Sequence, residues 1–147
     1  MGIRVLSEQF EVPYLDEQAV FIPKEGEQTQ NYIRKVFLLC NDKPVIFART
    51  VVPQSTYEHY QRQFKHLGSQ FIGETLLYRN PEVTRQAFEF AHIALTDVVK
   101  EELTQLLPAT RESRLWARRS LFWLNTFPLL ITEIFLPEIQ KLGYPDK

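Results

Sequence analysis

Three charged residues lie inside segments that otherwise have the apolar, β-prone composition of buried strands. They are Arg34, Arg49 and Glu133. An unpaired charge that is removed from water costs several kcal/mol, so we expect each of them to be paired or to bind a charged ligand. Two arginines and one carboxylate on neighbouring strands are suited to bind a small anion, for example a dicarboxylate.

A purely structural interpretation of these charges stays open. A charged side chain can reach water at the edge of a sheet, or an arginine can pair with Glu133 without any ligand. Strand alternation surrounds Arg34, Arg49 and Glu133 with apolar neighbours on their own faces. Apolar surroundings shift pKa values and strengthen ion recognition, which favours a ligand site.

Length and composition define the broad class of protein. The chain has 147 residues, of which 44% are hydrophobic and 13% aromatic, as expected for one globular domain over residues 1–147. The net charge of −1 gives no electrostatic footprint for nucleic acid or an anionic membrane. The longest apolar run, 127–135, is interrupted by Thr132 and Glu133 and is too short to span a bilayer.

The remaining reactive residues do not form a recognisable metal or nucleophile motif. His59, His66 and His92 have no cysteine or acidic cluster at metal-ligand spacing, so we expect no metal. Cys40 is the only cysteine, which suits a reducing cytoplasm, and we expect it to pack rather than react. No apolar leader opens the chain, and we expect a cytoplasmic monomer.

Alternating apolar residues and turn residues predict an antiparallel α+β domain. Asn41 to Lys43 and Asn125 to Phe127 are the predicted hairpin turns. Arg118 and Arg119 are consecutive in a predicted strand, so one of them lies on each face. One of the two can reach the site, although a solvated or paired role is favoured. The predicted strands are 3–12, 32–40, 44–52, 83–92, 114–124 and 128–136.

Helices are predicted between some of these strands. Ser55 and Glu58 have the spacing of a capping box for a helix over 56–66. Tyr57, Tyr60 and Phe64 form its apolar stripe. Other predictions are a helix over 95–107, an irregular connector over 13–30, a segment at 73–79 that is either helix or strand, and a frayed tail from Pro137.

The order of four motifs resembles the chorismate pyruvate-lyase family, the enzymes that form 4-hydroxybenzoate for ubiquinone. The resemblance extends from about Ile3 to Pro137. The motifs are an arginine-bearing strand, a second arginine-bearing strand, a loop and a C-terminal hairpin. In this sequence they are 32–40, 48–53 followed by Ser55 and Thr56, 67–73, and 115–120 with 128–137.

The resemblance implies a six-stranded antiparallel sheet with helical flaps that bury a small-molecule substrate, and a lyase without metal or organic cofactor. By position, Arg34 is expected to hold the ring carboxylate of chorismate, aided by backbone groups at Ile72. Glu133 is expected to bond the ring hydroxyl, and Arg49 the enolpyruvyl carboxylate. Glu133 and Arg49 are therefore the expected catalytic residues.

Two further expectations accompany the resemblance. Family members usually have an N-terminal helical segment that forms part of the lid, and this sequence has no match to it; the connection over 95–110 is expected to replace some of the cover. The alternatives to a lyase are a non-catalytic binding domain of the same fold, as in the effector domains of transcription regulators, and a folded remnant without its lid.

Overall fold

The protein, seen in a computed structural model, is a single antiparallel sheet with short helices on both of its faces. The structure describes residues 2–21, 30–68, 70, 72, 77, 81–86, 89–94 and 114–142. Within these residues no helix is long and apolar enough to cross a membrane. The strands are β1 Gly2–Glu11, β2 Asn31–Cys40, β3 Lys43–Val52, β4 Val83–Arg85, β5 Glu89–Ala94, β6 Arg114–Leu124 and β7 Phe127–Phe135. The helices are α1 Leu15–Gln18, α2 Gln54–His59, α3 Gln61–Lys65 and a 3-10 helix at Pro137–Leu142.

The strands are arranged in the order β1-β2-β3-β7-β6, and both β4 and β5 pair with the outer edge of β6. The sequence predicted one strand over 83–92, whereas the structure has two shorter strands that occupy the same position beside β6. Within the part of the chain that the structure describes, the sheet therefore has seven strands in six positions. The predicted α+β class and antiparallel sheet are confirmed.

Both predicted hairpins form where the turn residues indicated. Asn41 and Asp42 join β2 to β3 with φ values of 51° and 62°, and Asn125 joins β6 to β7 with φ of 56°. Asn and Asp tolerate this left-handed region better than other residues with a Cβ atom, because their short polar side chains bond locally. These two turns fix the register of the central strands.

The register determines which side chains share a face of the sheet, because paired residues point to the same side and successive residues to opposite sides. We call the two sides the first face and the second face. The first face carries Tyr32, Arg34, Ala48, Thr50, Arg118, Ser120, Ile131 and Glu133, and the second face carries Ile33, Lys35, Arg49, Val51, Arg119, Leu130 and Thr132.

Helices α2 and α3 cover one end of the first face. Tyr57, Tyr60 and Phe64 pack against a buried cluster that includes Tyr32 and Leu129, which confirms the predicted apolar stripe. The Oγ1 atom of the fully buried Thr56 also donates a hydrogen bond of 2.8 Å to the carbonyl oxygen of Pro128 in β7. The helices are therefore joined to the sheet by both apolar packing and a polar contact.

The second face is covered by the chain that follows β1. Val20 and Phe21 pack against Ile33, Val51 and Leu130, all of which are almost completely buried. Apolar side chains thus lie on both sides of the central strands, which explains why β2 and β3 have nearly continuous apolar sequences.

Several predicted boundaries are wrong. The capping box does not form, since Pro53 is the N-cap of α2 and no side chain caps the helix. The predicted helix 56–66 is divided at Tyr60 into α2 and α3. Residues 13–30 are not wholly irregular, because α1 lies within them, and the tail begins with a 3-10 helix. The predicted helix 95–107 and most of the segment 73–79 lie outside the described residues.

Candidate functional site

Arg34, in β2, is buried to 2% exposure, and three groups of the described residues bind its guanidinium. Its Nε atom donates to Oε1 of Glu8 at 3.1 Å, and its Nη2 atom donates to the carbonyl oxygens of Gly68 and Gln70, each at 2.9 Å. Glu8 lies opposite Arg34 in β1, so the strand pairing itself brings the two charges together. The guanidinium is therefore held between the sheet and the loop that follows α3.

Tyr32 extends this polar group along β2. Its hydroxyl donates to the same Glu8 oxygen at 3.0 Å. Burial, followed by the nearby Glu8 carboxylate, raises the pKa of Tyr32 above its usual value, so its hydroxyl stays protonated and able to donate. The ring of Tyr32 packs against the rings of Tyr57 and Phe64, which ties the polar group to α2 and α3.

Glu133, in β7, is another charged residue of the first face. It lies between Ala48 of β3 and Arg118 of β6, and its Oε1 atom accepts a hydrogen bond of 2.6 Å from Nε of Arg118. The two side chains are partly accessible, at 16% for Glu133 and 31% for Arg118. The sequence predicted that Arg118 and Arg119 would lie on opposite faces, and this is confirmed, since Arg119 faces Thr132 on the second face.

Arg34 and Glu133 lie on the same face, two strands apart and two residues apart along the strands. Standard strand spacings place their Cα atoms roughly 12 Å from each other. The sheet surface between them carries Ala48 and Thr50, whose side chains are small. A cation and an anion therefore face the same side of the sheet and are separated by small side chains. This arrangement can orient a small molecule that has two different polar ends.

Ile72 is also on the first-face side. Its side chain packs against the buried cluster beneath α2 and α3, as does Leu77. Its location is consistent with the predicted site, while the predicted contact of its backbone groups with a ligand stays a prediction.

Arg49, in β3, points to the second face. Its Nε and Nη2 atoms donate to the two carboxylate oxygens of Glu17 at 2.7 Å and 3.0 Å, and its Cζ atom lies 4.1 Å from the centre of the Tyr14 ring. Both members of this ion pair are buried, at 1% exposure for Arg49 and 3% for Glu17. The pair therefore fixes α1 to the sheet.

The three charges singled out in the sequence are thus not brought together. Arg34 pairs with Thr50, the residue that follows Arg49, so Arg34 and Arg49 must point to opposite sides. The predicted contact between Arg49 and an enolpyruvyl carboxylate stays a prediction, and it is one that the position of Arg49 does not support. The expectation of one shared cluster is replaced by Arg34 with Glu133 on the first face.

Sequence reasoning missed the partners of all three charges: Glu8, Glu17 and Arg118. Glu8 lies in a predicted strand that contains several polar residues, and nothing in the sequence distinguishes it from the others. Glu17 lies in a segment that was predicted to be an irregular connector, where no periodicity indicates a face. Only Arg118 could have been found from the sequence. It and Arg119 are consecutive in a predicted strand, so one of the two must lie on the same face as Glu133.

The other candidates occupy ordinary positions. His59 and His66 are exposed, and His59 stacks on the ring of Phe127 with centroids 4.3 Å apart. Cys40 is half-buried at the end of β2. In the part of the chain that the structure describes, no three residues of the types His, Cys, Asp or Glu are grouped so that they could hold a metal ion.

An open antiparallel sheet with helices over a charged face defines a class of small α+β domains, and sequence comparison identifies the family. The family model described as chorismate lyase matches residues 1–142, and the chain belongs to this family. It is 36% identical over 115 residues to a probable chorismate pyruvate-lyase of Psychromonas ingrahamii and 38% identical over 115 residues to one of Nitrosomonas europaea. These matches cover 78% of this chain but only 61% and 64% of the two relatives. A relative from Azoarcus sp., also a probable chorismate pyruvate-lyase, is 34% identical over 99% of this chain and 76% of its own length.

Solved structures with similar folds come from transcription regulators. The C-terminal domain of PhnF superimposes with a TM-score of 0.71 at 10% identity, over 94% of this chain and 84% of that domain. The C-terminal domain of the histidine utilization repressor from Pseudomonas syringae gives a TM-score of 0.62 at 15% identity, over 99% and 98%. At such low identities the similarity shows a shared fold and nothing about ligands.

Proposed function

We propose that this chain is a chorismate pyruvate-lyase, which converts chorismate to 4-hydroxybenzoate and pyruvate without a cofactor. The observation that carries the proposal is that Arg34 and Glu133 face the same side of the sheet in a chain that belongs to the chorismate lyase family. 4-Hydroxybenzoate has a carboxylate at one end of its ring and a hydroxyl at the other. The carboxylate matches the cation Arg34 and the hydroxyl matches the carboxylate of Glu133, and small side chains lie between these two residues.

Arg34 is the proposed ligand of the ring carboxylate. A planar guanidinium binds a carboxylate in a defined orientation, and its value as a ligand depends on how rigidly it is held. Glu8 and the carbonyl oxygens of Gly68 and Gln70 fix the guanidinium through its Nε and Nη2 atoms. Gly68 and Gln70 are therefore part of the support of the site, and backbone groups at Ile72 are proposed to complete the carboxylate contact.

Glu133 is the proposed partner of the ring hydroxyl. An ionised carboxylate accepts hydrogen bonds and protons but donates none. The bond of 2.6 Å from Arg118 occupies Oε1 and orients the carboxylate. We therefore assign Glu133 to hold the hydroxyl at C4 and to receive the hydrogen that leaves C4 as a proton.

The reaction requires little chemical machinery. The C4–H bond breaks and its electron pair completes the aromatic ring, while the C3–O bond breaks and its pair stays on the oxygen of the departing enolpyruvate. A proton then adds to the methylene carbon of enolpyruvate, which gives pyruvate. Because aromatisation drives the reaction, positioning and electrostatic stabilisation can supply most of the catalysis.

The proposed activity also implies a pathway, a compartment and an oligomeric state. 4-Hydroxybenzoate is the product that the resemblance links to ubiquinone formation. The single cysteine is in keeping with a reducing compartment, and we propose that the protein acts in the cytoplasm as a monomer. Sedimentation of the purified protein tests the oligomeric state independently of activity.

A direct assay tests the proposed function. Purified protein is mixed with chorismate, and 4-hydroxybenzoate and pyruvate are measured separately; equal amounts of both are expected. Glu133→Gln should lower kcat by about 100-fold or more, as is typical for loss of a proton-transferring group. Glu58→Gln is the matched control and should leave kcat unchanged. Glu58 is an exposed glutamate of α2 whose side chain, within the described part of the chain, bonds only that of Gln54.

Two outcomes would contradict the enzyme proposal. Binding of chorismate without formation of either product would instead support a non-catalytic binding domain of this fold. A rate that Glu133→Gln leaves unchanged would remove Glu133 from the chemistry and restrict it to its structural pair with Arg118.

A further inference from the structure

Ser120 is a buried polar residue of β6 that no described residue satisfies. The residue is 2% exposed, and its Oγ atom has no hydrogen-bond partner among the described residues. An unsatisfied buried hydroxyl costs about 1–3 kcal/mol, and such groups are rare enough in folded proteins that each requires an explanation. Replacement of Ser120 by a small apolar residue should not lower the free energy of unfolding.

The position of Ser120 relates it to the candidate site. Ser120 pairs with Ile131, Ile131 pairs with Thr50, and Thr50 pairs with Arg34, so Ser120 points to the first face. Glu133 follows Ile131 by two residues and is the diagonal neighbour of Ser120, at a typical Cα separation of about 7–8 Å. The hydroxyl therefore lies on the same face as both proposed ligands and close to one of them.

The substrate has one polar group for which the first face has no assigned partner. On the proposed function, on which this inference rests, Arg34 binds the ring carboxylate and Glu133 the hydroxyl at C4. The enolpyruvyl group is attached at C3, next to C4, so it must lie close to Glu133. Arg49, which the sequence suggested for this group, points to the second face and binds Glu17.

We propose that Ser120 is a binding residue for the enolpyruvyl group and donates a hydrogen bond to its ether oxygen. A hydroxyl group can donate one hydrogen bond, and the ether oxygen of chorismate becomes negatively charged as the C3–O bond breaks. A fixed donor at this place stabilises the transition state more than the ground state. The guanidinium of Arg118, two residues away on the same face of β6, adds positive potential beside it.

The test uses the intact chain with Ser120→Ala. The variant should lower kcat/KM for chorismate by about 10-fold or more, because the lost hydrogen bond is made to a group that carries or develops charge. Its affinity for 4-hydroxybenzoate, measured by calorimetry, should be unchanged, because the product has no enolpyruvyl group. Removal of an unsatisfied hydroxyl should leave the Tm equal or higher.

Two further variants make the result specific. Ser120→Cys keeps nearly the same volume with a weak donor and should give an intermediate kcat/KM, so the test survives even if alanine disturbs packing. Thr132→Val removes a hydroxyl from the opposite face of the adjacent strand β7 and should leave kcat/KM unchanged.

The outcomes separate this inference from the proposed function. An active wild type whose kcat/KM does not change in Ser120→Ala would overturn the role of Ser120 alone. Equal losses for chorismate and 4-hydroxybenzoate would also overturn it, because the hydroxyl would then bind the ring portion. If the wild type binds chorismate but forms no product, the lyase proposal fails, and the binding affinities of the two compounds still decide the role of Ser120. If it binds neither compound, both proposals fail.

Discussion

Arg34 shows how a buried charge can be stabilised and still be suited to bind a ligand. A lone guanidinium at 2% exposure would be strongly destabilising, but Glu8 compensates the charge and two carbonyl oxygens accept hydrogen bonds. These partners act through Nε and Nη2. The orientation of the planar group is thereby fixed before a carboxylate arrives, and less conformational entropy is lost on binding.

Arg34→Lys tests whether this planar group binds the ring carboxylate. Lysine keeps the charge but loses the fork of donors, so we expect the affinity for 4-hydroxybenzoate to fall by about 10- to 100-fold. Calorimetry on the purified variant measures this. Lys35→Arg is the control, since Lys35 lies on the second face beside Glu11, and it should bind the product normally; an unchanged affinity in Arg34→Lys would contradict the assignment.

Tyr32 gives a prediction about alkaline pH. Its raised pKa means that the unfolded chain ionises this tyrosine from about pH 10 while the folded chain keeps it protonated. The unfolded state is thereby favoured as pH rises, so the stability that is fully present below about pH 10 is progressively lost above it. We expect the fall in the free energy of unfolding between about pH 9 and about pH 11 to be smaller in Tyr32→Phe than in the wild type. Urea titrations at both pH values measure it, and equal falls would disprove the effect.

At the scale of elements, α1 has only four residues, too few to be stable as an isolated helix. Its position depends on tertiary contacts. Glu17 in the helix binds Arg49 through two hydrogen bonds, and the next residues, Val20 and Phe21, pack on the second face. The arginine that the sequence assigned to the substrate therefore holds a covering element in place.

Paired substitutions separate the two roles of Arg49. Glu17→Ala leaves a buried arginine without its carboxylate and should reduce the free energy of unfolding by about 3–5 kcal/mol. The double variant Arg49→Met with Glu17→Leu replaces the ion pair with apolar side chains and should be far closer to wild type in urea titrations.

Lyase activity of the same double variant is the second measurement. We expect kcat/KM to stay close to the wild-type value, because Arg49 is on the face opposite Arg34 and Glu133. A folded double variant that has lost turnover of chorismate would instead support the predicted contact of Arg49 with the enolpyruvyl carboxylate.

At the scale of the whole molecule, the helices α2 and α3 form a second layer over one end of the first face of the sheet. The helices are attached by the apolar cluster around Tyr32 and Phe64 and by the hydrogen bond from Thr56 to Pro128. Ligand that binds between these layers adds contacts to both of them. Ligand binding should therefore raise the free energy of unfolding of the sheet and the helices together.

Thermal unfolding measures this stabilisation. At a ligand concentration of about 100 times Kd, binding adds about 2.7 kcal/mol to the free energy of unfolding, which raises the Tm by several degrees. We expect this for 4-hydroxybenzoate and a clearly smaller shift for benzoate at equal concentration, because benzoate has no hydroxyl for Glu133. Equal shifts would contradict the role of Glu133, and no shift with either compound or with chorismate would support a folded remnant.

Much of the local structure was predictable from the sequence because its causes are local. Asn41, Asp42 and Asn125 indicated the hairpins, since few other residues accept positive φ values. Helix boundaries were less predictable. Ser55 and Glu58 have the spacing of a capping box, but the helix begins at Gln54 with Pro53 as its N-cap, two residues earlier than predicted, because the packing of Thr56 against β7 sets its position.

The sequence by itself determined which charges are unusual, which strands carry them and to which family the motifs correspond. Only the tertiary structure decided that Arg34 shares a face with Glu133 while Arg49 binds Glu17 on the other face. The physical reason is that alternation fixes faces within one strand, whereas the relation between strands depends on their register. The partners of Arg34 and Arg49 lie 26 and 32 residues away along the chain, a distance over which no local pattern carries information.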